Sequence, residues 1–285
     1  MTKTAAITVT VLDCKSPNSR GGFYIRPQRK RIATPVCALV RNDTESVCIM
    51  EFFKDSPKMK ALTFSFDDGV TQDIRMVELL DKYGLKATFN LNSNKLGLPR
   101  IMIQKTGRRI SHHKIAPADV AELYKDHEVA VHTLDHPNLT TLDQDEIIRQ
   151  VEEDRKNLEA LVGYDVVGMA YPCGGVNNDA RVAAILRDHT KVRYARTLDC
   201  IDSFDMRENL YQFDSNARIL QFDRLMELGR QFIEMKPDKK QLFYIWGHTY
   251  EMDYDSKNWM QFEAFCEMIS GHDDIFYCTN TQAIL

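Results

Sequence analysis

From residue 61 to the C-terminus, short strand-like runs alternate with helix-like ones. No other feature constrains the fold as much, because such a succession favours a parallel sheet with helices packed outside it. The strand candidates are ALTFSF (61–66), KATFNL (86–91), EVAVH (128–132), VGMAY (167–171), RYART (193–197), QLFYIW (241–246) and IFYCT (275–279). Between them apolar residues recur every three or four positions, as in Ile74, Val77 and Leu80, or Ile147, Val151, Leu158 and Leu161, which predicts helices with one buried face. Thr71 and Gly84 bracket the first of these; Asp143, with Glu146 three residues on, opens the second, and Gly163 closes it. Further helices are expected over Asp179–Asp188, Phe222–Met235 and Trp259–Ile269. Seven strands suit an α/β fold of the (β/α) barrel type, one unit short of the eight-stranded form; a doubly wound open sheet is the rival.

Residues 1–58 differ in texture. AITVTVL, VCALV and SVCIMEFF, separated by a Gly-Gly pair and the basic stretch Arg26–Arg31, predict a small β-rich extension, and the basic stretch is read as a solvated loop. The remainder, 59–285, is expected to be one catalytic domain, a size that one large α/β unit fills. A net charge of -4 and 27% charged residues give no extended basic face for nucleic acid. Seven cysteines without a C-x-x-C pair suggest neither a disulfide framework nor a zinc finger. The N-terminal MTKTAAITVTVLDCKS is too short and polar for a leader or a membrane span, so a cytoplasmic protein is expected. A chain whose leader had been removed, and which worked outside the cell, would read the same. Oligomeric state is not legible. Gly97–Ile115 reads as a long loop with His112 and His113 at the surface, while His127, His189 and His272 fall near helix ends, where a cation opposes the dipole.

In parallel βα folds the C-terminal strand ends open on one face, and functional groups collect there. The ends carry Asp67-Asp68-Gly69, His132 to His136, Tyr171-Pro172-Cys173, Arg196 with Asp199, and Gly247-His248. Pro137 keeps His136 from helical angles, so His132 and His136 leave a strand, and a bend between them returns both imidazoles to one point. Two imidazoles and a carboxylate form a three-ligand site of the kind that holds catalytic Zn²⁺. Adjacent residues of a strand point to opposite sides, so Asp67 and Asp68 are expected to divide the work. One holds the metal and the other acts as a base on water, the cation relieving their repulsion. His248 follows QLFYIW and is read as a general acid, since imidazole titrates near neutrality.

FSFDDG, HTLDHP, AYPCGG and WGH, in this order and spacing over about residues 59–285, resemble the successive motifs of the polysaccharide deacetylase family, carbohydrate esterase family four. The resemblance implies a distorted (β/α)₇ barrel and a metal-dependent hydrolase that removes N-acetyl groups from a sugar or glycan. By it Asp67 matches the catalytic base, Asp68 the aspartate ligand, His132 and His136 the histidine ligands, and His248 the general acid. Tyr171, Pro172 and Cys173 match one wall of the substrate groove, where the Cys173 N–H would help hold the oxyanion; Tyr250 is a further candidate for that groove. Zn²⁺ is the implied metal, with Co²⁺, Ni²⁺ and Mn²⁺ as alternatives.

Two departures qualify the match. Many members pair the catalytic Asp with an Arg whose position here is Ala170, in a segment resembling the family's FAYPYG variant; Arg196, in YARTLD, is the candidate to supply that charge. The acid that should orient His248 is open between Asp199, Asp202 and Asp205. Two other functions stay in view: hydrolysis of a small amide or cyclic imide at the same site, and an inactive carbohydrate-binding relative. An aromatic-lined groove from Tyr171, Trp246, Tyr250 and Trp259 would favour sugars, although Trp246, in an apolar strand, is read as core.

Overall fold

Strand β1 (Lys60–Asp67) is buried along its whole length, and its two faces do different things. Leu62, Phe64 and Phe66 join the main apolar core, where Phe64 packs edge-on against Phe262 and Phe265 of an outer helix. Thr63, Ser65 and Asp67, by the two-residue period of a strand, face the other way, into a polar interior. The computed structural model describes residues 52–285; the expected extension, up to residue 51, and the loop Arg26–Arg31 lie outside the described residues.

The other strands are β2 (Ala87–Leu91), β3 (Ile101–Ile103), β4 (Arg109–Ser111), β5 (Glu128–Val131), β6 (Gly168–Ala170), β7 (Tyr194–Cys200), β8 (Phe213–Ser215), β9 (Ala217–Arg218), β10 (Gln241–Gly247) and β11 (Ile275–Tyr277). The helices are α1 (Asp73–Lys82), α2 (Val120–Leu123), α3 (Gln144–Val162), α4 (Ala180–His189), α5 (Phe222–Glu234), α6 (Asn258–Ile269) and α7 (Asn280–Ile284). All pairings in the main sheet are parallel, in the order β8-β7-β6-β5-β2-β1-β10-β9. Because β8 and β9 are separated only by Asn216, which exchanges hydrogen bonds of 2.7 and 2.8 Å with the Tyr244 backbone, that segment is one stave and the ring closes.

The result is the distorted seven-stave (β/α) barrel, not the open-sheet rival. One stave differs from expectation. The seventh strand read from sequence, IFYCT, becomes β11, which pairs only with Lys60–Leu62 on the edge of β1 that β2 takes further along. The closing stave is instead β8–β9, two very short strands whose Asp214, Ser215 and Asn216 break any apolar alternation. Helix ends follow local chemistry: Asp143 accepts the Glu146 N–H at 2.9 Å, and Gly163 ends α3 at φ 78°. In α1 the cap position is Gln72, not Thr71.

The interior is held by hydrogen bonds. Glu128 accepts from Thr88 Oγ1 (2.8 Å), Tyr194 Oη (3.0 Å) and Thr281 N (2.9 Å), and Asn280 of α7 accepts from Thr63 Oγ1 and donates to Tyr244 Oη, so α7 plugs the N-terminal end. Gly168 lies under this network. A Cβ there would meet Tyr194 Oη at 2.1 Å and Cζ at 2.4 Å, and that ring is fully buried. Gly168→Ala should therefore destabilise the fold by at least about 1–3 kcal/mol in a urea titration. Gly174→Ala, where a Cβ meets nothing within 4 Å, should stay within about 0.5 kcal/mol of the parent.

Candidate metal and catalytic centre

At the C-terminal end of β1 the chain turns sharply, with Asp68 at φ 85° and Gly69 at φ 58°. Thr133 (66°), His136 (61°) and Cys173 (68°) are also left-handed, a conformation non-glycine residues adopt at a cost that neighbours must offset. These turns aim side chains at one point: Asp68, His132 and His136 each bring a ligand atom within 4.8 Å of the others. His132 Nδ1 lies 2.9 Å from the Ala170 carbonyl oxygen, which only accepts, so the proton sits on Nδ1 and the Nε2 lone pair is free. His136 Nε2 is 3.7 Å from Asp68 Oδ1, and burial, followed by the His132 charge, pushes its pKa down to about 3, keeping the ring neutral as a ligand must be. One carboxylate and two neutral imidazoles, one of them already oriented from behind, are a donor set that fits Zn²⁺ and related divalent ions.

The supports come from neighbouring strand ends. Asn92, just past β2, donates to the carbonyls of His132 (2.6 Å) and Thr133 (2.8 Å). Asp154 of α3 accepts the N–H groups of Ser93 (2.7 Å) and His132 (3.2 Å); burial raises its pKa to about 7.

Asp67 faces inward and is paired. Arg196 of β7, itself fully buried, sets Nη2 2.6 Å from Asp67 Oδ1, and Asn90 of β2 adds a 2.8 Å hydrogen bond to the same oxygen. The guanidinium lies over the Trp246 ring at 4.4 Å. Burial raises the Asp67 pKa, but Arg196, then His132 and His248, outweigh it and hold the carboxyl below its usual range. Asp67 is therefore held in its ionised form at neutral pH.

Asp68 has companions that the sequence reading placed elsewhere. Gly97–Ile115 is not a plain loop: β3 and β4 form an antiparallel hairpin, and the chain beyond it lies along the Asp68 turn. Ile115 N donates to Gly69 O at 3.0 Å and Thr71 N to His113 O at 2.8 Å. His112, read as a surface residue, is buried with Nε2 3.2 Å from Asp68 Oδ2, while Lys114 Nζ is 2.6 Å from Asp68 O and 3.3 Å from Oδ1. The apolar triplet Ile101–Ile103 and the isolated Ile110, on either side of a turn at Gly107, were the available hairpin signal. Burial opposes ionisation of Asp68, but the His112 hydrogen bond and the Lys114 charge prevail and keep it well below the usual carboxylate range.

His248 follows β10, whose Gly247 is in register with Phe66 of β1, so it leaves the stave next to the Asp67–Asp68 turn. The acid beside it is Glu251, not Asp199, Asp202 or Asp205: Glu251 Oε1 lies 3.5 Å from His248 Nδ1, three residues on in the short helical turn Thr249–Tyr254. Asp199 is exposed, Asp202 faces Arg224, and Asp205 pairs with Lys239 beside Gln241, the first residue of β10. Burial lowers the His248 pKa, yet Glu251, then Asp68 and Asp67, raise it above the ordinary imidazole value.

Asp67, Asp68, His132, His136 and His248 line one cavity of about 420 Å³, together with Cys173, Leu198, Arg218, Trp246 and Tyr250. Tyr171 borders it but is fully buried, with its hydroxyl donated to Tyr211 O at 2.7 Å. Pro172 is buried and is not among the lining residues, so it supports the wall from behind. Cys173 Sγ contacts His136 O at 3.4 Å and Nδ1 at 3.7 Å. Trp259 packs in the core on α6, its Nε1 bonded to Asp253 at 3.0 Å. A second cavity of about 420 Å³, at the other barrel end around Glu128 and Thr281, has its carboxylate bound by hydroxyls and belongs to the packing of α7.

Residues 54–192 match the family model described as polysaccharide deacetylase. The chain is 27% identical over 128 residues to the peptidoglycan-N-acetylmuramic acid deacetylase PdaC of Bacillus subtilis, covering 44% of this chain and 24% of that protein. It is 27% identical over 121 residues to the peptidoglycan-N-acetylglucosamine deacetylase PgdA of Listeria monocytogenes, covering 41% and 22%. The matches thus span a quarter or less of these two relatives' own length. Among solved structures, Bacillus subtilis PdaC aligns with a TM-score of 0.45 at 17% identity, covering 80% of this chain and 91% of that one. A family 4 carbohydrate esterase from Streptomyces lividans gives 0.46 at 13%, covering 78% and 92%.

Two outcomes follow from this geometry. His112→Ala should weaken zinc binding about 10- to 100-fold by calorimetry, with His112→Gln recovering part of the loss. Asp73, at the start of α1, is fully buried between Thr249 Oγ1 (2.5 Å) and Tyr124 Oη (2.7 Å), and burial raises its pKa to about 7. A raised carboxyl stabilises the fold fully below its unfolded value near 3.8, and this contribution is lost as pH rises through about 7. The stability difference between the parent and Asp73→Asn, followed by urea unfolding from about pH 5 to about pH 8, should therefore shrink as pH rises.

Proposed function

We propose that this chain, whose residues 54–192 match the polysaccharide deacetylase family model, hydrolyses the acetamide of an N-acetylated glycan, releasing acetate and a free amine. The observation that carries this reading is the convergence of Asp68, His132 and His136 on one point, with the Arg196-paired Asp67 beside them and His248 lining the same cavity from the neighbouring strand β10. A divalent cation held by Asp68, His132 and His136, of which Zn²⁺ suits the donors best, would supply polarisation of the amide carbonyl and acidification of a water.

This chain's own groups account for the proton traffic. Asp67, ionised and held by Arg196 and Asn90, takes the proton from the attacking water as the new C–O bond forms. The backbone N–H of Cys173, at the cavity wall, donates to the oxygen that gains charge, a role independent of its side chain. His248, kept protonated by Glu251, gives its proton to the nitrogen as the C–N bond breaks. With ligands, base and acid all assembled, an inactive relative is the weaker reading.

A small amide or cyclic imide is the second substrate reading. The cavity of about 420 Å³ lies near the lower end of the range for small-molecule sites, and its Tyr171, Trp246 and Tyr250 rings are buried.

Asp67→Asn should lower the rate of acetate release from N-acetylglucosamine oligomers by ~10²- to 10⁴-fold while zinc stoichiometry is unchanged. Turnover equal to the parent would remove Asp67 as the base. Release of product from cyclic imides but not from the oligomers would transfer the proposal to the second reading.

A further inference from the structure

The cavity has one cationic side chain that the hydrolysis of an acetamide does not use. Arg218 of β9 is set in register opposite Trp246 of β10, and its side chain is 46% exposed at the cavity wall. Its guanidinium lies over the Trp246 ring at 5.0 Å, beside that of Arg196 at 4.4 Å. One Nη2 contact, 3.2 Å to Glu251 Oε1, is its only side-chain hydrogen bond among the described residues, although a guanidinium has five N–H donors.

Three further observations bear on what those donors meet. Aromatic rings that could stack on a neutral sugar face are withdrawn: Tyr171, Trp246 and Tyr250 are 0%, 3% and 8% exposed. Trp246 already carries two guanidinium groups over its ring. Every carboxylate at the mouth already has a cation: Asp67 has Arg196, Asp68 has Lys114, and Glu251 lies between Arg218 and His248. The charge of a bound divalent ion then leaves the mouth net positive in a chain whose overall charge is -4.

Resting on the proposed amide hydrolysis, we infer that Arg218 is an anion-binding, specificity-determining residue, and that the accepted substrate carries a carboxylate close to its acetamide. Guanidinium–carboxylate pairing supplies both charge and planar geometry, which a neutral sugar face cannot exploit. The rival role is positional: Arg218 would only steady Glu251, and through it His248, and would then affect all substrates alike.

The test compares matched pairs on the zinc-loaded chain. One pair is N-acetylglucosamine and its 3-O-carboxyalkyl ether; the other is N-acetylethylamine and N-acetylglycine, so that a glycan source and a small-amide source are told apart. Affinity is read by calorimetry and acetate release by enzymatic assay. In at least one pair the parent should favour the carboxylated member about 10- to 100-fold, and that ratio should collapse towards one in Arg218→Met and be partly restored in Arg218→Lys. Equal affinities in both pairs for the parent, or an unchanged ratio in Arg218→Met with both members weakened together, would overturn the inference. A binding preference that collapses in Arg218→Met, without acetate release from any compound, would support the anion site and overturn the hydrolytic reading instead.

Discussion

A buried ion pair crosses the upper end of this barrel, and much of the site is arranged around it. Asp67 of β1 and Arg196 of β7 are both almost inaccessible, at 1% and 0% exposure, so each would be costly without the other. Asn90 adds a donor to the carboxylate, and the Thr197 carbonyl accepts from Arg196 Nη1 at 2.9 Å. The pair fixes the inward carboxylate in one orientation, and it requires the seven staves to close so that β1 and β7 face each other across the interior. Closure in turn depends on the short β8–β9 stave and on α7 filling the opposite end.

Once Asp67 is committed to the interior, the next residue has to leave it. The left-handed turn at Asp68 and Gly69 sends the second carboxylate towards His132 and His136, and the chain after the β3–β4 hairpin holds that turn through backbone bonds to Gly69 and Thr71. His112 and Lys114 then act on the Asp68 side chain itself. The two adjacent carboxylates are thereby given different neighbours: Arg196 for the one, and the imidazoles of His132 and His136 with His112 and Lys114 for the other. Their repulsion is answered separately on each side, which is how a chain tolerates Asp67-Asp68 at a strand exit.

Much of this was legible in the sequence because it rests on local patterns. The strand–helix alternation gave the fold class, and Asp-Asp-Gly, His132 to His136 and Gly-His at strand ends marked the residues that the structure brings to one cavity. Arg196 was a candidate only because Ala170 left a charge to be found, and its contact with Asp67 joins residues 129 apart in sequence. The remainder depends on tertiary placement. Glu251 sits three residues beyond His248, a spacing that becomes meaningful only once the short turn Thr249–Tyr254 is known. His112 lies in a polar, Arg-rich segment, where composition argued for solvent and packing of the following chain on β1 decided otherwise. The β8–β9 stave is too short for any periodicity to reveal.

The division of labour between Asp67 and Asp68 is tested most directly by zinc K-edge X-ray absorption on the metal-loaded chain, with stoichiometry measured in parallel. The predicted result is one zinc per chain, coordinated by two imidazoles and oxygen donors with no sulfur, lost in Asp68→Ala and retained in Asp67→Ala. Sulfur in the coordination shell, which would bring in Cys173, or loss of zinc in Asp67→Ala with retention in Asp68→Ala, would contradict it.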